Sequence, residues 1–220
     1  MIALPTASLA LLLVYRLYSI LPHTGQHRDR RLNSKPGCTV AVFLGSGGHT
    51  SEALALISAL DFKRYNRRAY IVASGDDLSV RKAVDLEARL SKTHDYTILS
   101  IPRARRVHQP LITIPISVAY SLLFCAYHLT LRPFLNFKTS KFADVLVLNG
   151  PGTCLMLCIV VYMNKFLGLQ APSIIYVETF ARVKSLSLSG KLIRPFADRF
   201  ITQWPTSQNS PQSSGENWLV

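Results

Sequence analysis

The sequence predicts an α/β fold in which a doubly wound, mostly parallel sheet is covered by helices on both faces. Apolar runs such as VAVFL at 40–44 and VLVL at 145–148 show no polar alternation, which is typical of strands buried on both sides. Segments with helical periodicity separate these runs, and such helices connect parallel strands. We predict strands at about 39–44, 69–74, 96–101, 144–149, 173–178 and 199–203.

Helices are predicted where apolar residues recur three and four positions apart. Ala53, Leu56, Ile57 and Leu60 form such a stripe after the first strand. Similar patterns predict helices at about 78–91, 113–135, 152–167 and 187–196.

An apolar stretch at the N-terminus, Ile2 to Pro22, is long enough to cross a bilayer. Its positive charges follow the apolar run, in HRDRR at 27–31, whereas a cleaved signal peptide carries them before it. We therefore expect a single-pass transmembrane helix at 1–22. The positive-inside rule places the following domain on the cytosolic side.

The rest of the chain divides by composition. We expect a basic linker at 23–38, a Rossmann-like domain at 39–205 and a polar, disordered tail at 206–220. A second apolar segment, 111–131, is open to two interpretations. We favour a helix that covers the sheet, with its outer face on the membrane, over a second span, because a second crossing would separate strands of one sheet.

The chain carries 25 Lys and Arg against 12 Asp and Glu, a formal charge of +13. These charges are clustered, which favours an anionic membrane or a phosphorylated substrate over a passive solvated surface. No nucleic-acid-binding motif accompanies them, so we expect no nucleic acid partner. The four cysteines lack CxxC spacing, which argues against zinc, and we expect no metal site.

The turn GSGGHT at 45–50 follows the first predicted strand and opens a helix. Glycines let the backbone approach a ligand, and the free amides of a first helical turn bind anions. The dinucleotide fingerprint is not matched, because Thr50 stands where its third glycine belongs, and no P-loop Lys follows. A phosphate or diphosphate fits best, and a tight turn without a ligand is the alternative. The candidate binding residues here are Gly45, Ser46, Gly47, Gly48 and Thr50.

A second glycine turn, LNGPGTC at 148–154, repeats this arrangement after the fourth strand. In a doubly wound sheet the carboxyl ends of these two strands flank the crevice where the winding direction switches. The candidate binding residues here are Asn149, Gly150, Gly152 and Thr153.

Two side chains are catalytic candidates. His49 follows the first glycines, and a neutral imidazole there is suited to accept a proton from a hydroxyl, although ligand contact or capping would also explain it. Glu178 ends the fifth strand on the same rim, where a loop hydrogen bond is the alternative.

Four stretches carry a family resemblance: FLGSGGHTSEAL, ADVLVLNGPGTC, SIIYVETFARVKSLSLSGKL and RPFADRFITQWP. They resemble the membrane-anchoring subunit of the eukaryotic UDP-N-acetylglucosamine transferase of dolichol-linked oligosaccharide assembly. More distantly they are similar to the N-terminal half of the bacterial transferase that glycosylates undecaprenyl-diphosphate-linked muramyl peptide.

The resemblance implies one half of a GT-B glycosyltransferase split over two chains. This chain would anchor at the endoplasmic reticulum and bind the acceptor, N-acetylglucosaminyl-diphosphodolichol. A soluble partner would supply the donor-binding half and hold UDP-N-acetylglucosamine, a substrate, so no cofactor is expected. The resemblance places Gly45 to Thr50 and Asn149 to Thr153 along the acceptor diphosphate, and Glu178 facing the cleft.

Three further expectations complete this interpretation. The transferase would be active only as a heterodimer, because one domain provides one wall of the cleft. The Ser- and Gln-rich tail departs from the charged and apolar end expected of the family, which predicts weaker partner docking. The alternatives are a pure membrane scaffold without ligand binding and, less favoured, a dinucleotide-dependent oxidoreductase.

Overall fold

The computed structural model describes residues 3–22, 37–90, 95–105, 109–135, 142–150 and 152–204. Within these ranges six strands form one parallel sheet in the order β3-β2-β1-β4-β5-β6. The chain winds outward in both directions from the β1–β4 pair, so the predicted doubly wound sheet is confirmed. The strands are β1 Thr39–Leu44, β2 Arg67–Ala73, β3 Tyr96–Ile101, β4 Val145–Leu148, β5 Ser173–Val177 and β6 Arg199–Ile201.

The two central strands set the position of the site. β1 and β4 pair in parallel from Val40–Val145 to Phe43–Leu148. All four residues of β4 are buried, as are Val40 to Leu44 of β1, because helices cover both faces of the sheet. Their carboxyl ends therefore lie side by side at one edge.

Helices α2 and α3 cover one face of the sheet, and α4, α6 and α7 cover the other. The apolar residues expected at the buried stripe of α2 include Ala53 and Ile57, which are fully packed in the core. The helices are α1 Ala3–Ile20, α2 Gly48–Ser58, α3 Asp77–Leu90, α4 Ile114–Ala126, α5 Arg132–Leu135, α6 Thr153–Phe166 and α7 Leu188–Ile193.

A buried ion pair joins β2 to α3. Arg68 Nε and Nη2 donate to the two carboxylate oxygens of Glu87 at 2.6 and 2.9 Å, and the two side chains are 1% and 0% exposed. Tyr70 also donates its hydroxyl to Glu87 at 2.7 Å. Burial, together with this hydrogen bond, raises the pKa of the Tyr70 phenol well above its usual value, which keeps the phenol a neutral donor.

The helical stretch Leu111–Leu135 contains α4, a π turn at Tyr127–Leu131 and α5. Pro133 lacks the amide that would bond to Leu129 O, and Asn164 Nδ2 of α6 donates to that oxygen at 3.3 Å. Ser121, Cys125 and Leu129 are buried against the domain. The predicted sheet-covering helix is thus confirmed.

The outer face of this stretch is apolar and exposed, and Leu123 is 70% exposed. Among the described residues, Leu111–Leu135 is the one helix whose length and composition would be sufficient to cross a membrane. Other exposed residues on this stretch are Leu111, Ile112, Ile116, Tyr120, Tyr127, Leu131, Phe134 and Leu135.

The N-terminal helix α1 packs against α6. Arg16 donates from Nη2 to Lys165 O at 2.8 Å and from Nε to Phe166 O at 3.2 Å, so it caps the C-terminal end of α6. The predicted N-terminal helix is confirmed as a helix, whereas its membrane span stays a prediction. Of the predicted linker 23–38, residues 23–36 lie outside the described residues, as does the predicted tail 206–220.

Candidate functional site

The two predicted glycine turns lie against each other at the carboxyl edge of the sheet. Gly47 and Gly150 have φ angles of 69° and 112°, conformations that side chains disfavour. A Cβ on Gly150 would lie 3.0 Å from Cγ of His49, so the second turn packs directly on the first. The prediction that both turns share one rim is confirmed.

Two helix N-termini open at this rim. α2 begins at Gly48 and α6 at Thr153, and neither has a side-chain cap. The first amides of each helix have no partner within the helix, and both helix dipoles are positive at this edge. Ser46, Gly47, Gly48 and Gly152 are exposed, so their amides lie at the surface of the rim. The arrangement suits an anion such as a diphosphate.

Five of the predicted binding residues are buried: Gly45, Thr50, Asn149, Gly150 and Thr153. The Thr50 hydroxyl is 1% exposed and hydrogen-bonds to Gly45 O and, at 2.6 Å, to Ser79 Oγ. The Thr50 side chain therefore stabilises the turn, and the part of Thr50 in ligand binding stays a prediction. Gly45 is buried, and Thr153 is 6% exposed at the start of α6. These residues shape the rim rather than line it.

His49 is part of a hydrogen-bonded chain across three strand ends. Its Nδ1 lies 3.0 Å from Asn149 Oδ1, and Asn149 Nδ2 donates to Glu52 Oε2 at 3.0 Å. Glu52 Oε1 accepts from Thr179 Oγ1 at 2.8 Å. Asn149 is fully buried and His49 is half-buried, so the imidazole is held from behind and reaches the rim.

Glu178 lies at the predicted rim but is turned into the protein. Its carboxylate is 2% exposed and accepts from the amides of Thr179 and Ser187 at 3.1 and 3.0 Å and from the Ser187 hydroxyl at 3.0 Å. Gly190 packs on the same carboxylate, leaving no room there for a side chain. These contacts favour the alternative of a loop hydrogen bonder over the predicted catalytic role, because no oxygen is directed at the rim.

The structure adds Arg103, which follows β3, to the rim. Its Nη2 lies 3.4 Å from Ser46 Oγ in the first glycine turn. Its Nε is buried and has no hydrogen-bond partner among the described residues. A guanidinium beside uncapped amides adds a fixed positive charge to the anion site.

Arg103 and Glu52 were not among the site residues predicted from the sequence. Arg103 was visible only as one member of a basic cluster, and nothing local showed that it reaches the first turn. Glu52 stands three residues after His49, the spacing of one helical turn, and that was the available signal. Among the described residues no group of His, Cys, Asp or Glu is arranged to hold a metal ion.

A doubly wound parallel sheet with two uncapped helix N-termini at its switch point defines a Rossmann-like domain. The family model "Oligosaccharide biosynthesis protein Alg14 like" matches residues 40–217. The chain belongs to this family. The matched range includes most of the tail, which weakens the expectation that the tail departs from the family pattern.

The names of similar proteins agree with this family membership. The chain is 50% identical over 216 residues to the UDP-N-acetylglucosamine transferase subunit ALG14 of Cryptococcus neoformans, covering 96% of this chain and 93% of that protein. It is 48% identical over 164 residues to the subunit of Schizosaccharomyces pombe, covering 74% of each chain. It is 35% identical over 212 residues to the subunit of Mus musculus, covering 93% of this chain and 90% of that one.

A search of solved structures matches LpCGTa in complex with UDP, with a TM-score of 0.40 and 18% identity. The match covers 65% of this chain and 30% of that chain.

Proposed function

We propose that this chain is the membrane-anchored, acceptor-binding subunit of a UDP-N-acetylglucosamine transferase at the cytosolic face of the endoplasmic reticulum. It recruits a soluble catalytic subunit that binds the donor. The complex adds the second N-acetylglucosamine to N-acetylglucosaminyl-diphosphodolichol, the precursor of N-linked glycans. The observation that carries this proposal is a rim where two uncapped helix N-termini and Arg103 come together, on a domain whose relatives are named transferase subunits.

The names of the relatives support the requirement for a partner. The described residues of 37–204 form one Rossmann-like domain, whereas a GT-B enzyme closes its reaction between two. The relatives that this chain covers almost end to end are themselves named subunits. A second polypeptide therefore supplies the other wall of the cleft and the site for UDP-N-acetylglucosamine.

The rim residues have distinct tasks in this proposal. The amides of Ser46 to Gly48, the start of α6 and Arg103 hold the acceptor diphosphate. His49 takes the proton from the acceptor hydroxyl as its oxygen attacks the anomeric carbon of the donor. The bond from that carbon to the diphosphate breaks, and UDP leaves with the electron pair. No metal or cofactor is assigned to this chain.

The assay that tests the proposal measures sugar transfer from UDP-N-acetylglucosamine to N-acetylglucosaminyl-diphosphodolichol. Three samples are compared: this chain alone, the soluble partner alone, and both in liposomes. We expect transfer only with both, and loss of transfer on Gly47→Val, whose positive φ disfavours a branched side chain. Full transfer with partner recruitment intact in Gly47→Val and His49→Ala would instead support the scaffold alternative.

The exposed apolar face of Leu111–Leu135 supports contact with the bilayer beyond the N-terminal helix. Because the inner face packs on the domain, we propose that this helix lies on the membrane and does not cross it. Aliphatic side chains exposed to lipid acyl chains avoid the cost of exposure to water.

Fluorophore labelling tests this placement. The described chain has four cysteines, all buried, so an introduced cysteine is labelled selectively. We expect a label at Leu123→Cys to be quenched by brominated lipids in liposomes. A label at Leu78→Cys, on α3 at the opposite face and 59% exposed, should be quenched by aqueous iodide instead. Equal aqueous quenching of both labels would contradict the proposal.

A further inference from the structure

We infer that Glu52 is a positioning residue, which acts through Asn149 to set the nitrogen of His49 that carries the proton. The inference deepens the proposed function, because the tautomer matters for transfer only if His49 is the base. The tautomer itself follows from the hydrogen bonds alone and can be measured without any transfer assay.

The side-chain amide of Asn149 has one favourable orientation between Glu52 and His49. It has one accepting oxygen and one donating NH₂ group, and it is fully buried between its two partners. An ionised carboxylate only accepts hydrogen bonds, so the group facing Glu52 must be the donor Nδ2, at 3.0 Å. The reversed amide would place its oxygen against the carboxylate of Glu52, with two acceptors facing each other, which is costly.

The orientation of Asn149 determines which nitrogen of the His49 imidazole carries the proton. With Nδ2 committed to Glu52, Asn149 presents its oxygen to His49, 3.0 Å from Nδ1. That oxygen only accepts, so Nδ1 carries the proton and donates it. A neutral imidazole has one such proton, so Nε2 keeps a free lone pair. The backbone of Gly150 lies close to the ring, since a Cβ on this glycine would be 3.0 Å from Cγ and 3.2 Å from Cδ2 of His49.

The carboxylate of Glu52 is in turn held in place by Thr179. Thr179, 7% exposed at the end of β5, donates its hydroxyl to Oε1 at 2.8 Å and leaves Oε2 for Asn149. The carboxylate is thus fixed from the strand next to β4. The chain from Thr179 to His49 runs across three neighbouring strand ends, so the fold itself holds the order of donors and acceptors.

The consequence for chemistry is direct. A base must present a lone pair to the acceptor hydroxyl, and the tautomer protonated at Nε2 presents a proton instead. In enzymes that hold a histidine base with a neighbouring acceptor, loss of the correct tautomer removes most of the activity. Glu52 never touches the substrate in this scheme. It acts by excluding the unproductive form of the ring.

The tautomer is measured by ¹⁵N NMR of histidine-labelled full-length protein in lipid nanodiscs, at a pH where the ring is neutral. The His49 signals are assigned by their absence in His49→Gln. We expect the proton on Nδ1 in the natural protein and a mixture, or the Nε2 form, in Glu52→Ala. Glu52→Gln should keep the Nδ1 form, because its amide can still accept from Asn149 and donate to Thr179. The matched control on the same helix is Ser51→Ala, which should also keep it.

Transfer by the reconstituted complex is the second readout. We expect Glu52→Ala to lower kcat by about 10- to 100-fold, the range typical for loss of a residue that orients a metal-binding histidine, with little change in KM. Glu52→Gln should restore most of kcat, and Ser51→Ala should match the natural chain.

The outcomes separate the two proposals. A natural protein protonated at Nε2, an unchanged tautomer in Glu52→Ala, or a Glu52→Gln variant as altered as Glu52→Ala would overturn the positioning role. If the tautomer behaves as expected but His49→Ala leaves transfer intact, the positioning of the ring stands and the base role in the proposed function fails.

Discussion

Replacing His49 by alanine is expected to lower the turnover number of the reconstituted transferase by about 10²- to 10⁴-fold, the usual contribution of a general base. The ring is half-buried, held by Asn149 and placed at the rim between two helix N-termini. Removing it takes away the proton acceptor but leaves the backbone amides that hold the anion. The KM for the lipid acceptor should therefore change little. The measurement is steady-state transfer to a lipid-diphosphate acceptor.

His49→Gln is the control that separates proton acceptance from positioning. Glutamine can still donate a hydrogen bond to Asn149, but it is not a base near neutral pH. We expect it to lose as much turnover as His49→Ala while co-purifying with the partner to the same extent as the natural chain. Turnover within about threefold of natural in His49→Gln would show that His49 is not the base, since general bases contribute far more.

Replacing Glu87 by alanine is expected to lower the free energy of unfolding by about 3–5 kcal/mol, the usual cost of removing one partner of a buried ion pair. The Arg68 guanidinium is 1% exposed, so the loss leaves a positive charge in the core. The Tyr70 hydroxyl loses its acceptor as well. The measurement is denaturant unfolding of the full chain in detergent, followed by tryptophan fluorescence.

An exposed ion pair on the same strand provides the matched control. Arg67 Nε lies 3.2 Å from Asp95, but the two side chains are 60% and 56% exposed. Asp95→Ala should therefore cost at most about 1 kcal/mol. The double variant Arg68→Met/Glu87→Leu should recover part of the stability, because apolar residues of similar volume replace both charges while the Tyr70 hydroxyl still lacks its acceptor. Equal losses in Glu87→Ala and Asp95→Ala would contradict the buried character of the first pair.

The strands were predictable because their patterns are local. VAVFL and VLVL admit few structures other than doubly buried strands, and β1 and β3 have the predicted bounds. The shared rim of the two glycine turns also followed from sequence, since the connections of parallel strands fix which ends meet. These inferences required no knowledge of individual side-chain contacts.

The side chains of the site were less predictable because their partners are distant in sequence. Asn149 and Glu52 are 97 residues apart, as the sheet brings β4 beside β1. A hydroxyl in the first turn of a helix can bind either a ligand or its own turn, and the contacts of Thr50 with Gly45 O and Ser79 Oγ could not be read from the sequence. Glu178 lies at the predicted end of β5, but its side chain faces inward because the following loop brings the amide of Ser187 to its carboxylate.

The capping of α6 by Arg16 determines where the domain is tethered. α6 runs opposite to the strands, and its 14 residues span about 20 Å at 1.5 Å per residue. The N-terminal helix is thus hydrogen-bonded to the domain at the edge of the sheet opposite the rim that carries the two glycine turns. If that helix crosses the bilayer as proposed, the domain lies on the membrane with the exposed apolar face of Leu111–Leu135, and the N-terminal helix holds it at one end. The rim then lies close to the membrane surface at the other end. A lipid-linked headgroup would reach it there while the lipid tail stays in the bilayer.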